Sequence, residues 1–279
     1  MTDMNSFDAE SFCAALATRR IGRPTRFYER VGSTNDLAHA AARAGAAEGL
    51  VIVADEQTAG RGRLDRRWWA PPGAALLLSL LLRPDLPAER AGQLSMCLGL
   101  AAAEAIEQTT GLHIGLKWPN DLVYAGRKLG GLLAEAEFAG AQVQYAILGL
   151  GLNVNLDFDA PAVLAAAGLD DLRGRAASLA MLLGRPVDRI GLLAALLAAF
   201  EARYDRLLAG ESPHLAWAAR LDTLGQRVRV ALRGGAHIGV ATGVTPGGGL
   251  ILADDDGAEH VVWAGDVAAL RPAGPDNDA

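Results

Sequence analysis

The run "GAALLLSLLL", Gly73 to Leu82, is the feature that most limits how this chain folds. Its length falls well short of the roughly 20 apolar residues a membrane helix needs. Bounded by Pro72 and Pro84, it reads as a buried strand. "LVIVADE" (Leu50 to Glu56) is a second buried strand upstream, and the two are joined by "QTAGRGRLDRRWW". A helix from about Thr34 to Arg43 precedes this pair, with Ser33 suited to its N-cap and Gly45 to its end. "AERAGQLSMCLGLAAAEAIEQTTG" then has helical periodicity and a glycine stop. "HIGLKWPNDLVYAGRKLGGLLAEAEF" and "QVQYAILGLGLNVN" read as strands separated by turns. These elements predict an α/β (α+β) unit, a mixed sheet with flanking helices.

From about Asp188 to Leu221 the pattern is helical and Ala/Leu-rich, with an interruption at "GESP". From Gly225 the character changes: "QRVRVAL", "HIGVATGV", "GLILADD" and "AEHVVWAG" are short strands divided by Gly- and Asp-rich turns, a small β-barrel-like second domain. The expected division is an N-terminal segment 1–25, a large domain 26–221, a small domain 222–272 and a frayed tail 273–279. The first segment holds one weak helix, "DAESFCAALATRR", and a Gly-Arg-Pro turn, which leaves no room for a DNA-binding domain there.

A net charge of −6 argues against broad attraction to nucleic acid. Cys13 and Cys97 stand far apart, and His39, His113, His214, His237 and His260 are scattered without HExxH spacing, so no structural metal site is expected. Early acids at the N-terminus do not fit a secretory signal, so a cytoplasmic location and no membrane partner are expected.

Against that acidic background the arginine loop stands out. Arg61, Arg63, Arg66 and Arg67 against Asp65 give it a local charge of about +3, a repulsion that a bound anion relieves. Glycines there let backbone N–H groups turn toward the anion, and guanidinium forks match carboxylate or phosphate oxygens. The alternative is a solvated basic turn. "KWPNDL" adds Lys117 at a strand end and Asn120 and Asp121 in a turn, either as turn formers or as polar groups for ribose, phosphate or metal-bound water. "AGRKLGGLLAE" puts Lys128 beside Gly130 and Gly131, which leave space for a ligand or another backbone. "GLGLNVN" lacks the spacing and the following helix of a dinucleotide fingerprint; its glycines and Asn153 suit a flat ligand surface or plain sheet packing.

In this order "GSTN", "QTAGRGR…RW", "KWPNDL", "RKLGGLLAE" and "GLGLNVN" resemble the landmark motifs of the biotin–protein ligases, over about residues 26 to 272. The resemblance implies a catalytic domain related to class II aminoacyl-tRNA synthetases and an SH3-like C-terminal domain. It implies activation of biotin by ATP, with Mg²⁺, to biotinoyl-5′-AMP, then transfer to a lysine of the biotin carrier domain of a biotin-dependent carboxylase. No tightly bound prosthetic group is implied, and a homodimer is one possible state. Carried over residue by residue, Ser33, Thr34, Asn35 and Gln57 line the biotin site. Gly60, Arg61, Gly62 and Arg63 wrap the carboxylate and adenylate phosphate, Trp68 closes over the ligand, and Lys128 touches biotin carbonyl and phosphate. Lys128 and Arg63 are thus the implied catalytic residues. Gly130, Gly131, Gly149 and Gly151 border the ligand, Lys117, Asn120 and Asp121 serve the nucleotide and metal side, and Asn153 the adenosine side.

The chain departs from the family at Leu64 and Asp65, where an arginine and a glycine are usual. An aspartate there is expected to pair with Arg66 or Arg67 and slow the ordering of the loop. Lipoate–protein ligases and octanoyl transferases share the fold and the lysine acceptor, but their "RRxSGGG" segment has no counterpart. A biotin-sensing repressor and a pure binding module are the other readings.

Overall fold

A computed structural model of the chain describes residues 8–160, 163, 172–232 and 235–269, with the backbone alone for Asp65. Residues 1–7 and the tail 273–279 lie outside the described residues.

The apolar run becomes β3 (Ala75–Leu82), buried at every position because the sheet is covered on both faces. Leu76, Leu78, Leu80 and Leu82 enter the main core, and Leu81 turns to a second cluster with Ala38, Ala42 and Ile147. Ala75 and Leu77 pack with Ala70 beneath Trp68. Each leucine so buried contributes about 1.5–3 kcal/mol. Ser79, on the same face as Leu77 and Leu81, is fully buried and points its hydroxyl at Thr34 and Asn35.

Around β3 a seven-stranded mixed sheet forms in the order β1-β2-β3-β7-β6-β5-β4. The other strands are β1 (Thr25–Val31), β2 (Val51–Gln57), β4 (Gly115–Lys117), β5 (Asp121–Tyr124), β6 (Arg127–Ala139) and β7 (Gln142–Asn153). Among the described strands only the edge pair β1 and β2 is parallel, its crossover being α2 (Thr34–Arg43). Ser33 holds the N-cap position, but its side chain makes no capping hydrogen bond. On the opposite face α3 (Gly92–Thr110) packs on α5 (Arg189–Leu208), and α3 stops at Gly111 in the left-handed conformation (φ 76°). Two short helices, α4 (Leu179–Leu183) and α6 (His214–Ala218), flank α5 in sequence.

The first helix, α1 (Ala9–Ala15), is shorter than its sequence suggests. The Glu201 carboxylate accepts the backbone N–H groups of Arg19 (2.7 Å) and Arg20 (3.0 Å), drawing that segment onto α5.

The C-terminal unit is a five-stranded antiparallel sheet, β11-β10-β9-β8-β12. Its strands are β8 (Arg227–Leu232), β9 (Gly235–Val244), β10 (Leu250–Ala253), β11 (Glu259–Val262) and β12 (Asp266–Ala269). Four were expected; β12, a four-residue strand just after Gly265, was not. Among the described residues no ladder closes β11 onto β12, so the sheet is an open form of the expected barrel. Trp118 pins the two units together. It is 1% exposed; its backbone N–H donates to Thr223 Oγ1 (3.0 Å) and its indole Nε1 to the Gly248 carbonyl (2.8 Å).

Candidate active site

A cavity of about 900 Å³ opens over the site face of β6 and β7, within the size range of small-molecule sites. Its walls are the arginine loop, the first turn of α2, the β4–β5 turn and residues 172–176. Ser33, Thr34, Asn35, Gln57, Arg61, Gly62, Arg63, Trp68, Lys117, Asn120, Asp121, Lys128, Gly131, Gly149, Gly151 and Asn153 all line it. Gly60 and Gly130 do not; each supports a close approach behind the wall, Gly60 to the Trp68 carbonyl and Gly130 to the Gly151 carbonyl. The C-terminal sheet closes one side with Arg229, Ala231 and Asp266 to Ala268, a contribution that no sequence motif announced.

The floor is bare where β7 carries glycine. A Cβ on Gly149 would stand 2.3 Å from Asn35 Oδ1, and one on Gly151 would stand 2.4 Å from Trp68 Cε2. Both side chains therefore lie directly on the sheet. The Trp68 indole N–H is buried without a hydrogen-bond partner among the described residues.

One end of the cavity is a polar network. Thr34 donates to Gln57 Oε1 from its backbone N–H (2.8 Å) and its hydroxyl (3.0 Å). Ser79 Oγ lies 2.8 Å from Thr34 Oγ1 and donates to Asn35 Oδ1. Asn35 in turn donates from Nδ2 to Glu135 Oε2 (2.7 Å). A carboxylate only accepts, so this last bond fixes which way the Asn35 amide faces. The Ser79 and Thr34 hydroxyls have one proton each. Once Asn35 and Gln57 have received them, the hydroxyl–hydroxyl contact has none, and Thr34 Oγ1 keeps lone-pair capacity for a ligand N–H.

The other end is cationic, but its cations are not equivalent. Arg61, on the cavity wall, is paired with Glu135 (3.1 Å) and Asp36 (2.8 Å). Arg66 pairs with Asp266 of β12. The expected pairing of Asp65 falls on a side chain outside the described residues. Lys128 Nζ bonds Asp121 Oδ1 (2.6 Å) and stands 5.9 Å from the Trp68 ring centre. Arg63 reaches only the neutral Asn120 Oδ1, at 3.4 Å, and has no ion pair among the described residues. Burial disfavours its charge, and Arg66 nearby adds to this, so its pKa falls below the ordinary arginine value despite Asp266 and Asp121. A half-buried guanidinium with no carboxylate within ion-pair distance is a site for an incoming anion. Asn153 is 4% exposed and donates to the Ala177 carbonyl (3.2 Å), tying β7 to the wall segment that also bonds the Lys128 backbone.

Sequence reasoning passed over Ser79 and Glu135. Ser79 is the one polar residue within the apolar run, and that was its signal; Glu135 closes the quoted segment "RKLGGLLAE".

Residues 27–153 match the Biotin/lipoate A/B protein ligase family, and residues 223–269 match the Biotin protein ligase C terminal domain. The biotin--[acetyl-CoA-carboxylase] ligase of Mycobacterium tuberculosis is 39% identical over 250 residues, 87% of this chain and 87% of that protein. The chain belongs to the biotin protein ligase family. The bifunctional ligase/repressor BirA of Bacillus subtilis is 34% identical over 252 residues, 89% of this chain and 75% of that protein. Among solved structures, the biotin protein ligase from Aquifex aeolicus in complex with biotin and ATP superposes with a TM-score of 0.73 at 26% identity, covering 90% of this chain and all of that one. The mixed sheet and the smaller antiparallel sheet of this chain are the two units of a biotin ligase fold.

Proposed function

We propose that this chain is a biotin–protein ligase whose two chemical steps take place in the cavity over β6 and β7. In the first, an oxygen of the biotin carboxylate attacks the α-phosphorus of ATP and the bond to pyrophosphate breaks, giving biotinoyl-5′-AMP. In the second, a lysine amine of a carrier domain attacks the acyl carbon, AMP leaves, and the amine loses a proton to give the amide.

The observation that carries this reading is Arg63, half-buried and without an ion pair among the described residues, on the wall of the same cavity as Lys128. Two anions must meet in the first step, so fixed cations are what the reaction needs most. Arg63 and Lys128 are assigned to the carboxylate and the α-phosphate, with Lys128 leaving Asp121 as the phosphate enters. Arg61 is assigned to holding the loop, since two carboxylates already neutralise it. The polar end fits the ureido ring of biotin, which offers two N–H donors and one carbonyl acceptor to Thr34, Asn35 and Gln57. Trp68, free of a Cβ beneath it at Gly151, covers the ring system, and Lys117, Asn120 and Asn153 serve the nucleotide.

The oxygen donors on the nucleotide side, Asp121 and Asn120, suit Mg²⁺ held mainly by phosphates rather than by a protein cage. When bound, the ion shares the charge of the leaving pyrophosphate. No described helix is long and apolar enough to cross a membrane. The reading includes a cytoplasmic location, a carrier domain as protein partner, no nucleic-acid partner, a monomer or homodimer, and the division into 26–221 and 222–272.

Incubation with biotin, ATP, Mg²⁺ and a biotin carrier domain, followed by mass measurement of the carrier, tests the reading. One biotinoyl group on the carrier, dependent on ATP, is expected; an unchanged carrier overturns it.

A further inference from the structure

We propose that Glu135 is a positioning residue for biotin binding, one that sets the ligand-facing amide of Asn35 and the arginine loop in fixed register. This inference rests on the ligase reading above. Glu135 follows Gly131 and Leu133 along the site face of β6, opposite Gly151, Gly149 and Ile147 of β7 in turn. That row ends where the floor meets the first turn of α2. There one carboxylate gathers contacts from two parts of the chain, the helix α2 and the arginine loop. Asn35 Nδ2 of α2 lies 2.7 Å from Oε2, Arg61 Nη1 of the loop 3.1 Å from Oε1, and His39 Nε2 3.4 Å from Oε2.

The geometry separates this from an ordinary surface ion pair. Asp36 also pairs with Arg61, but its side chain is 60% exposed and makes no second ion pair or side-chain hydrogen bond among the described residues, whereas that of Glu135 is 27% exposed and also takes Asn35. Burial works against ionisation of Glu135, yet the Asn35 hydrogen bond and Arg61 outweigh it and hold the carboxyl below its usual range. Without Glu135, the only acceptor that Asn35 Nδ2 keeps among the described residues is the Leu133 carbonyl, at a long 3.5 Å, so the amide is held weakly and can turn the wrong group to the ligand. With Asn35 assigned to the ureido ring and Arg63 and Lys128 to the carboxylate, the loss falls on binding rather than on the chemical step.

Biotin-dependent exchange of pyrophosphate into ATP, measured with the full chain and its variants, tests this. Glu135→Ala is expected to raise the biotin KM about tenfold with kcat within about twofold. Glu135→Gln, which still accepts from Asn35, should restore KM to within about threefold, and Asp36→Asn should leave both parameters within about twofold. A KM for Glu135→Ala within twofold of wild type overturns the proposal. So does a fall in kcat without a rise in KM, or a Gln variant no better than Ala. Loss of folding by Glu135→Ala is met by reading KM from Glu135→Leu and Glu135→Gln, where Gln must again be the better binder. Absence of exchange in the wild type would overturn the ligase reading itself, whereas an active wild type with an indifferent Glu135 overturns this proposal alone.

Discussion

The indole of Trp68 lies against the backbone of Gly151, so close that a methyl group there would meet Cε2 at 2.4 Å and Nε1 at 2.7 Å. Backbone and ring together shape the floor of the cavity. Gly151→Ala is therefore expected to displace Trp68 at an overpacking cost of about 1–3 kcal/mol. Biotin-dependent pyrophosphate exchange should fall by at least about tenfold in kcat/KM, while the far-ultraviolet circular dichroism spectrum stays that of wild type. Unchanged exchange would show that the ring need not rest there.

Arg63 and Lys128 make different demands on the same anion. Arg63→Ala removes a guanidinium that has no carboxylate to release, and Lys128→Ala removes an ammonium that must first leave Asp121. Each substitution is expected to lower the adenylation rate at least about tenfold, because each deletes a fixed charge next to the phosphate. Single-turnover formation of biotinoyl-AMP measures this directly, and near-normal rates in either variant would count against the assignment.

Much of this site was legible in the chain, and the reason is chemical. Glycines, arginines and lysines announce an anion site locally, through backbone freedom and charge, so the loop at 60–69 and the "RKLGG" turn could be placed before any fold was known. The unbroken apolar run of β3 likewise announced a buried strand. What stayed hidden was how the charges are shared. Arg61 was read as wrapping the carboxylate and adenylate phosphate, and its pairing with Glu135, 74 residues away, and Asp36, 25 residues away, could not be read beforehand. Arg66 meets a carboxylate 200 residues away, on the strand that was not foreseen. The early end of α1 has the same origin, since Glu201 captures its exit only after the chain has folded. Partners of this kind are set by tertiary packing, which no local pattern encodes.

The loop itself yields a third test. Leu64 occupies the left-handed region (φ 55°, ψ 43°), at a cost of about 1–2 kcal/mol for a residue with a branched side chain, and Asp65 follows it in the loop. Asp65→Gly is expected to speed closure of the loop and to reduce release of biotinoyl-AMP into solution by about twofold or more. Equal release rates from wild type and variant, measured by trapping the free adenylate, would refute this role.

Trp118 supplies a test of the joint between the two sheets. Trp118→Phe keeps an aromatic ring but leaves the Gly248 carbonyl without its donor and opens a small void. The expected loss is about 1–3 kcal/mol, a fall in Tm of several degrees in thermal unfolding. An unaltered Tm would mean that the C-terminal sheet is held by other contacts.

Ser79 carries a broader consequence. Replacing it with alanine would remove the sole hydrophilic group from a strand otherwise made of alanine and leucine and leave the buried Asn35 Oδ1 without its hydroxyl donor, a cost of about 1–3 kcal/mol. Thermal endurance and vitamin capture therefore pull this position in the same direction. Variants selected only for heat resistance should keep a hydroxyl here, and so keep their grip on the substrate.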